Sequence, residues 1–137
     1  MDEHGFIRSI HRLLPPEVYV WKINDRYAGG VADAFYHGPD GKILFVEYKY
    51  LKRLPTKEKT ILRTGLSSLQ IEWLTQRQSA GLNVAVILGT PIGGILITDI
   101  FTEVSCAEFK YIAKSKREIS QEIVEILGAD SKQKSAV

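Results

Sequence analysis

Residues 42–50, KILFVEYKY, constrain this chain more than any other stretch. They follow HGPDGK, whose Gly38, Pro39, Asp40 and Gly41 form a strong turn signal. Side chains alternate along an extended strand. Ile43, Phe45, Glu47 and Lys49 therefore share one face, while Leu44 and Val46 cover the other. Apolar residues on both faces mark a strand that is central in its sheet. Two charges at the end of such a strand are costly unless they are paired or bind something.

The flanking segments supply the rest of an α/β fold. Residues 2–14 read as a helix with Ile7, Ile10 and Leu14 on one face, flanked by Phe6 and Leu13 and ended by Pro15 and Pro16. Residues 17–24 and 31–37 read as strands, the second pairing antiparallel with 42–50. DRYAGG between them is a turn or loop, and Gly29-Gly30 is a tight turn rather than a phosphate loop. Residues 51–65 read as a basic loop. Residues 67–80 form a second helix, capped by Ser67 and closed by Gly81. VAVILG at 84–89 is a strand buried on both faces, and GILIT is a further strand after a turn. Capping-box spacing at Ser105/Glu108 and Ser115/Glu118 gives one or two helices at the C-terminal end. The order is α-β-β-β-α-β with a terminal helix. One domain over residues 1–127 is expected, with a loose polar tail at 128–137.

A hairpin turning at Pro39–Asp40 brings Asp33 close to Glu47. Val31, Asp33 and Phe35 share a face, so two carboxylates and Lys49 would form one patch. Neighbouring carboxylates repel, and a divalent cation relieves the repulsion. Magnesium is typically held by one or two carboxylates plus water and substrate phosphate. Such an ion activates water for in-line displacement at a phosphodiester, and a lysine beside it stabilises the developing charge or handles the water proton. The plainer reading is a surface salt-bridge patch, common on charged sheet faces. The apolar strand around the charges and the preceding G-G-x-x-D turn favour the chemical reading.

GGVADAF, the turn HGPDGK and ILFVEYK together resemble the PD-(D/E)XK nuclease superfamily. The similarity is to small stand-alone nucleases of the VRR-NUC kind and, more loosely, to archaeal-type Holliday-junction resolvases. It continues through LSSLQIEWLTQRQSAGLNVAVI and covers roughly residues 3–98. The resemblance implies a restriction-endonuclease-like core with a mixed central sheet flanked by helices. It implies that Asp33 and Glu47 ligate magnesium or manganese, with the backbone carbonyl of Tyr48 completing the coordination. Lys49 would be the catalytic lysine, and Gln70 would contact a water or the substrate. Ala32 stands where the family's name-giving proline would be. That proline shapes the backbone but brings no catalytic group.

Several residues carry two readings. Glu3 lies within ~40° of the helical stripe of Ile7, Ile10 and Leu14. In this family a first-helix glutamate often joins the metal site; otherwise Glu3 is an acid favoured by the helix dipole. Gln70 completes a capping box with Ser67, with Leu66 stapled onto Ile71, and the two roles of its side chain look mutually exclusive. Lys52, Arg53, Lys57, Lys59 and Arg63 either grip DNA phosphates or belong to a solvated, flexible loop. Lys22, Arg26 and Tyr27 would extend that surface. Trp21, Trp73 and Phe101 are read as core rather than as base-stacking platforms. His4, His11 and His37 are read as surface residues, and Cys106 as a small residue in a helical first turn.

Composition narrows the classes. With 45% hydrophobic and 25% charged residues in 137, the chain can build a core. A single cysteine allows no internal disulfide, and one cysteine with three scattered histidines gives no zinc spacing. The start, MDEHGFIRSI, has acids where a signal peptide needs a basic segment, and no apolar run reaches ~18 residues. A cytoplasmic, membrane-free protein is expected. The net charge of +2 says little about nucleic acid; the cluster from Lys49 to Arg63 says more. The expected function is a magnesium- or manganese-dependent DNA endonuclease, structure-selective or weakly sequence-selective, of a kind that suits a phage, a mobile element or repair. Paired cuts need two sites, so a homodimer is expected. The rivals are a DNA-binding module that does not cut or needs a partner protein, and an enzyme acting on RNA.

Overall fold

The computed structural model describes residues 1–25 and 28–129. The elements run α1 (Glu3–Leu13), β1 (Tyr19–Lys22), β2 (Ala34–His37), β3 (Ile43–Tyr50), β4 (Ile61–Leu62), α2 (Ser68–Ser79), β5 (Val84–Thr90), β6 (Gly93–Ile97), β7 (Val104–Ser105), α3 (Cys106–Ile112) and α4 (Lys116–Ile126). A five-stranded sheet has the order β1-β2-β3-β5-β6, and β4 and β7 form a separate two-stranded ribbon. The β3–β5 pairing is parallel and the other pairings in the large sheet are antiparallel. This is the mixed α/β architecture that the sequence pattern predicts. Among the described residues no helix is long and apolar enough to cross a membrane.

Local chemistry sets the element ends. The Asp2 carboxylate accepts the Gly5 N–H at the start of α1. Ser67, Ser105 and Ser115 each make a complete capping box at the starts of α2, α3 and α4. Each such cap is worth ~1 kcal/mol. The C-terminal part therefore holds two helices.

The sheet divides two cores. On one face α1 and α4 bury Phe6, Ile10, Ile119 and Ile123 against Leu44, Val46 and Tyr48 of β3. On the other face Leu74 of α2 and Phe109 of α3 pack with Val86 and Leu88 of β5. Full burial of each large apolar side chain contributes about 1.5–3 kcal/mol. Strand β5 is buried along its whole length, as its unbroken apolar run requires. Phe6 seats α1 on the sheet: a side chain at Gly89 would overlap its ring.

The structure departs from the sequence expectations at several points. β1 and β2 are shorter than residues 17–24 and 31–37, and just before β2 the Asp33 carboxylate takes the Tyr48 N–H of β3 in place of a backbone carbonyl. Residues 51–65 are not a free loop. They include β4, and they dock on α3 through Cys106 N–H to Thr60 O, Ala107 N–H to Glu58 O and the Lys110–Glu58 ion pair at 2.9 Å. Trp21 is 51% exposed and Phe101 65% exposed, so neither is core. Trp21 lies on an edge strand, and Phe101 lies in the turn after β6. His11 is not a plain surface residue: its Nε2 lies 2.7 Å from the Tyr36 hydroxyl, which lies 2.6 Å from the buried Tyr48 hydroxyl. Of the tail expected from residue 128, Ala129 is buried in the first core, and residues 130–137 lie outside the described residues.

Candidate active site

The register of β2 on β3 pairs Ala34 with Val46, so the next step places Asp33 opposite Glu47. The Asp33 backbone is held by the residue that follows β1: its carbonyl accepts the Ile23 N–H at 2.9 Å. Its side chain turns onto β3, where Oδ2 accepts the Tyr48 N–H at 2.8 Å. That amide would otherwise seek a carbonyl further along the ladder, so the carboxylate itself ends the β2–β3 pairing. The side-chain alternation breaks here too. Ala34 belongs to the first core, whereas Ala32 belongs to the second.

Glu47 is only 3% exposed. Its Oε2 accepts a hydrogen bond from Gln70 Nε2 at 2.8 Å and faces Lys49 Nζ at 3.6 Å. Its Oε1 is buried and has no hydrogen-bond partner among the described residues. Burial first, and then the Asp33 charge, push the Glu47 carboxyl up to about 8, with Lys49 pulling the other way. Asp33 is raised by burial, opposed by the Tyr48 N–H and by Lys49. Glu3, at the start of α1, is raised by burial and then by the Asp33 charge. It lines a depression of about 410 Å³ together with His4, Lys22, Asn24 and Asp33.

Gln70 corrects a sequence expectation. Its Oε1 accepts the Ser67 N–H at 2.9 Å while its Nε2 donates to Glu47. An amide has a donor end and an acceptor end, so capping and the active-site bond coexist. Close backbone packing holds α2 in place for this. Gly30 has a φ of +82°, and a Cβ there would collide with the Leu69 carbonyl at the start of α2.

The donor set suits a hard divalent cation. The oxygens are all hard, two carboxylates repel at close range, and one buried carboxylate oxygen lacks any donor. Asp33 and Glu47 form the core of this set, and Glu3 lines one depression with Asp33. Among the described residues no cluster of three or more His, Cys, Asp or Glu side chains is assembled for a metal. The remaining coordination would fall to backbone oxygen and water.

No protein-family model matches the chain, nor does any curated protein. Among solved structures, the chain is similar to Hjc, a Holliday junction resolvase from the archaeal hyperthermophile Archaeoglobus fulgidus. The TM-score is 0.53 at 16% identity, over 86% of this chain and 99% of that one. A VRR_NUC domain superposes over 64% of this chain and 84% of its own, at 21% identity and a TM-score of 0.47. The fold is that of the PD-(D/E)XK nucleases.

Within the PD-(D/E)XK fold, Asp33, Glu47, Lys49 and Gln70 come together at one end of β3, while Lys22 lies exposed at the end of β1. Lys52, Arg53, Lys57, Lys59 and Arg63 are all exposed on the segment that leaves β3. Arg26 and Tyr27 lie outside the described residues. Two features escape sequence reasoning. Lys116 and Arg117 of α4 line the same depression as Lys52, though they are remote in sequence. Trp21 joins an aromatic row across the sheet, which the density of aromatics at 19–21, 35–37 and 45–50 hints at.

Proposed function

We propose that this chain is a metal-dependent endonuclease that hydrolyses DNA phosphodiester bonds, selecting by DNA shape or weakly by sequence. The observation that carries the reading is Glu47, a buried carboxylate fixed through one oxygen and left without a donor on the other, beside Asp33. Magnesium or manganese, held by Asp33 and Glu47 with the Tyr48 carbonyl and with Glu3 in reach through water, would activate a water and neutralise charge on the phosphate.

The chain's own groups do the rest. The Tyr48 N–H and Gln70 fix the two carboxylates so that they do not reorganise during reaction. Lys49, paired with Glu47 and 21% exposed, can turn its ammonium to a phosphate oxygen and stabilise negative charge as it develops. Lys22, Lys52, Arg53, Lys57, Lys59 and Arg63 neutralise backbone phosphates, with Lys116 and Arg117 extending the path. Such contacts position DNA without reading its bases. Cutting both strands takes two centres, so the proposal includes a homodimer.

The test is incubation of the chain and Lys49→Ala with labelled single-strand, duplex, flap and four-way-junction DNA, in magnesium, manganese or chelator. A matched RNA panel is run alongside. The expected outcome is metal-dependent DNA cutting that falls by about 100-fold or more in the variant. Binding without cutting in every metal condition overturns the reading in favour of a non-cleaving or partner-dependent module.

A further inference from the structure

The face of the sheet that carries Glu47 also carries a row of aromatic rings. Trp21 of β1 meets Phe35 of β2 at 6.1 Å, Phe35 meets Phe45 of β3 at 5.0 Å, and Phe45 meets Trp73 of α2 at 5.0 Å in an edge-on contact. Helix α2 is aligned so that Gln70 faces Glu47 while Trp73, one turn on, faces Phe45. Arg77 lies over the Trp73 ring at 4.7 Å and holds that indole from the outside. Beyond Trp73 the helix leaves the sheet face uncovered. A pocket of about 670 Å³ opens there, lined by Trp21, Phe45, Trp73 and Val31, with Lys22 and Asn24 at its edge.

Position gives the pocket its meaning. Lys22, Ile23 and Asn24 form a wall that it shares with the depression holding Glu3 and Asp33. Phe45 precedes Glu47 by two residues on one strand face, about 6.6 Å along the strand. The half-exposed Trp21 indole stands at this opening together with Phe45 and Trp73, so the aromatic surface there is contiguous and reachable from solvent. A flat apolar ligand that enters beside the carboxylates, attached to a phosphate that Lys22 can meet, fits these walls.

We infer that the Trp21–Phe45–Trp73 pocket binds one unpaired nucleobase of a DNA strand whose adjoining phosphate lies at Asp33 and Glu47. The inference rests on the nuclease reading for the identity of the strand. A base inside a duplex has both faces covered by its neighbours and cannot enter; a bulged, flapped or junction base can. The pocket therefore accounts for selection by DNA structure with no base-specific code, since every base has a face to stack.

The test uses the full chain in chelator and two duplexes, one with a single unpaired nucleotide and one with an abasic residue at that place. The chain's two tryptophans, Trp21 and Trp73, both line the pocket, so intrinsic fluorescence reports on it directly. The bulged base is expected to quench the emission and to bind about 5- to 100-fold more tightly than the abasic duplex. Trp21→Ala should abolish that preference while leaving abasic affinity unchanged, and Trp21→Phe should keep most of it. Equal affinity of the parent for the two duplexes overturns the inference, whether or not the variants fold. So does conversion of a dimer to a monomer by Trp21→Ala, which would make the pocket an interface between copies. A base preference that persists in a chain unable to cut supports the pocket and removes only the nuclease reading.

Discussion

In the metal-free protein, replacing Glu47 by glutamine removes a titration while copying the shape of the protonated carboxyl. In the metal-free protein Glu47 holds its proton up to about pH 8, whereas an ordinary glutamate releases it near 4.5. A raised folded value means stability that is full below pH 4.5 and is lost as pH rises towards 8. Between those limits the unfolded chain has shed the proton and the folded chain has not, so each pH unit lowers stability by about 1.4 kcal/mol. From pH 5 to 7.5 the loss amounts to at most about 3 kcal/mol, a large share of the ~5–15 kcal/mol that holds a domain together. His11 acts in the opposite sense. Its value is depressed by burial and then by the Lys22 charge, so it costs stability as pH falls below 6.5. The His11 contribution is common to parent and variant and cancels in the comparison. Urea unfolding in chelator, read at half-unit steps from pH 5 to 8, should show the parent falling relative to Glu47→Gln. Adding magnesium or manganese should flatten the parent's decline, because the ion takes the place of the proton, and should leave the variant unchanged. Parallel pH profiles for the two proteins in chelator would refute the account of a strained carboxylate pair.

Gln70→Ala removes a helix cap and the Glu47 hydrogen bond together, so it should lower stability by about 1–2 kcal/mol in urea melts and reduce cleavage as well. Ser67→Ala, which loses only the cap, should match most of the stability loss while retaining activity. Lys52→Ala should weaken DNA binding evenly across sequences and reduce the slope of log affinity against log salt by about 1, measured by anisotropy in chelator.

The parts of this protein that are legible in its sequence are those set by short-range rules. The two-residue period of β3 gives the face shared by Phe45, Glu47 and Lys49, and the turn at Gly38–Gly41 sets the register that brings Asp33 across to it. Serine caps act over three residues, and all three boxes form. What escapes is set by distant packing. The basic segment is anchored by α3 residues far along the chain: the Cys106 and Ala107 amides bond the Thr60 and Glu58 carbonyls, and Cys106 Sγ adds a contact to the Pro55 carbonyl across 51 residues. Trp21 looks like core by its chemistry, yet it lies on the edge strand and half of its surface meets solvent. His11 is polar on a helix face that reads as solvent-exposed, and only the tertiary fold shows the Tyr36 hydroxyl waiting for it. The spacing of Ser67 and Gln70 gives the cap but not the second bond, because which end of the amide reaches Glu47 is set by how α2 sits on the sheet.

Gly30 brings no functional group to the centre, yet it acts as a spacer gauge for it. Its backbone rests directly on the backbone of Leu69, so the segment leading to Asp33 and the helix carrying Gln70 are set against each other with no rotatable side chain between them. The two halves of the centre therefore share one mechanical tolerance, the width of a missing methyl group. At Gly30 a single added carbon would wedge the acid and the amide apart while removing neither of them.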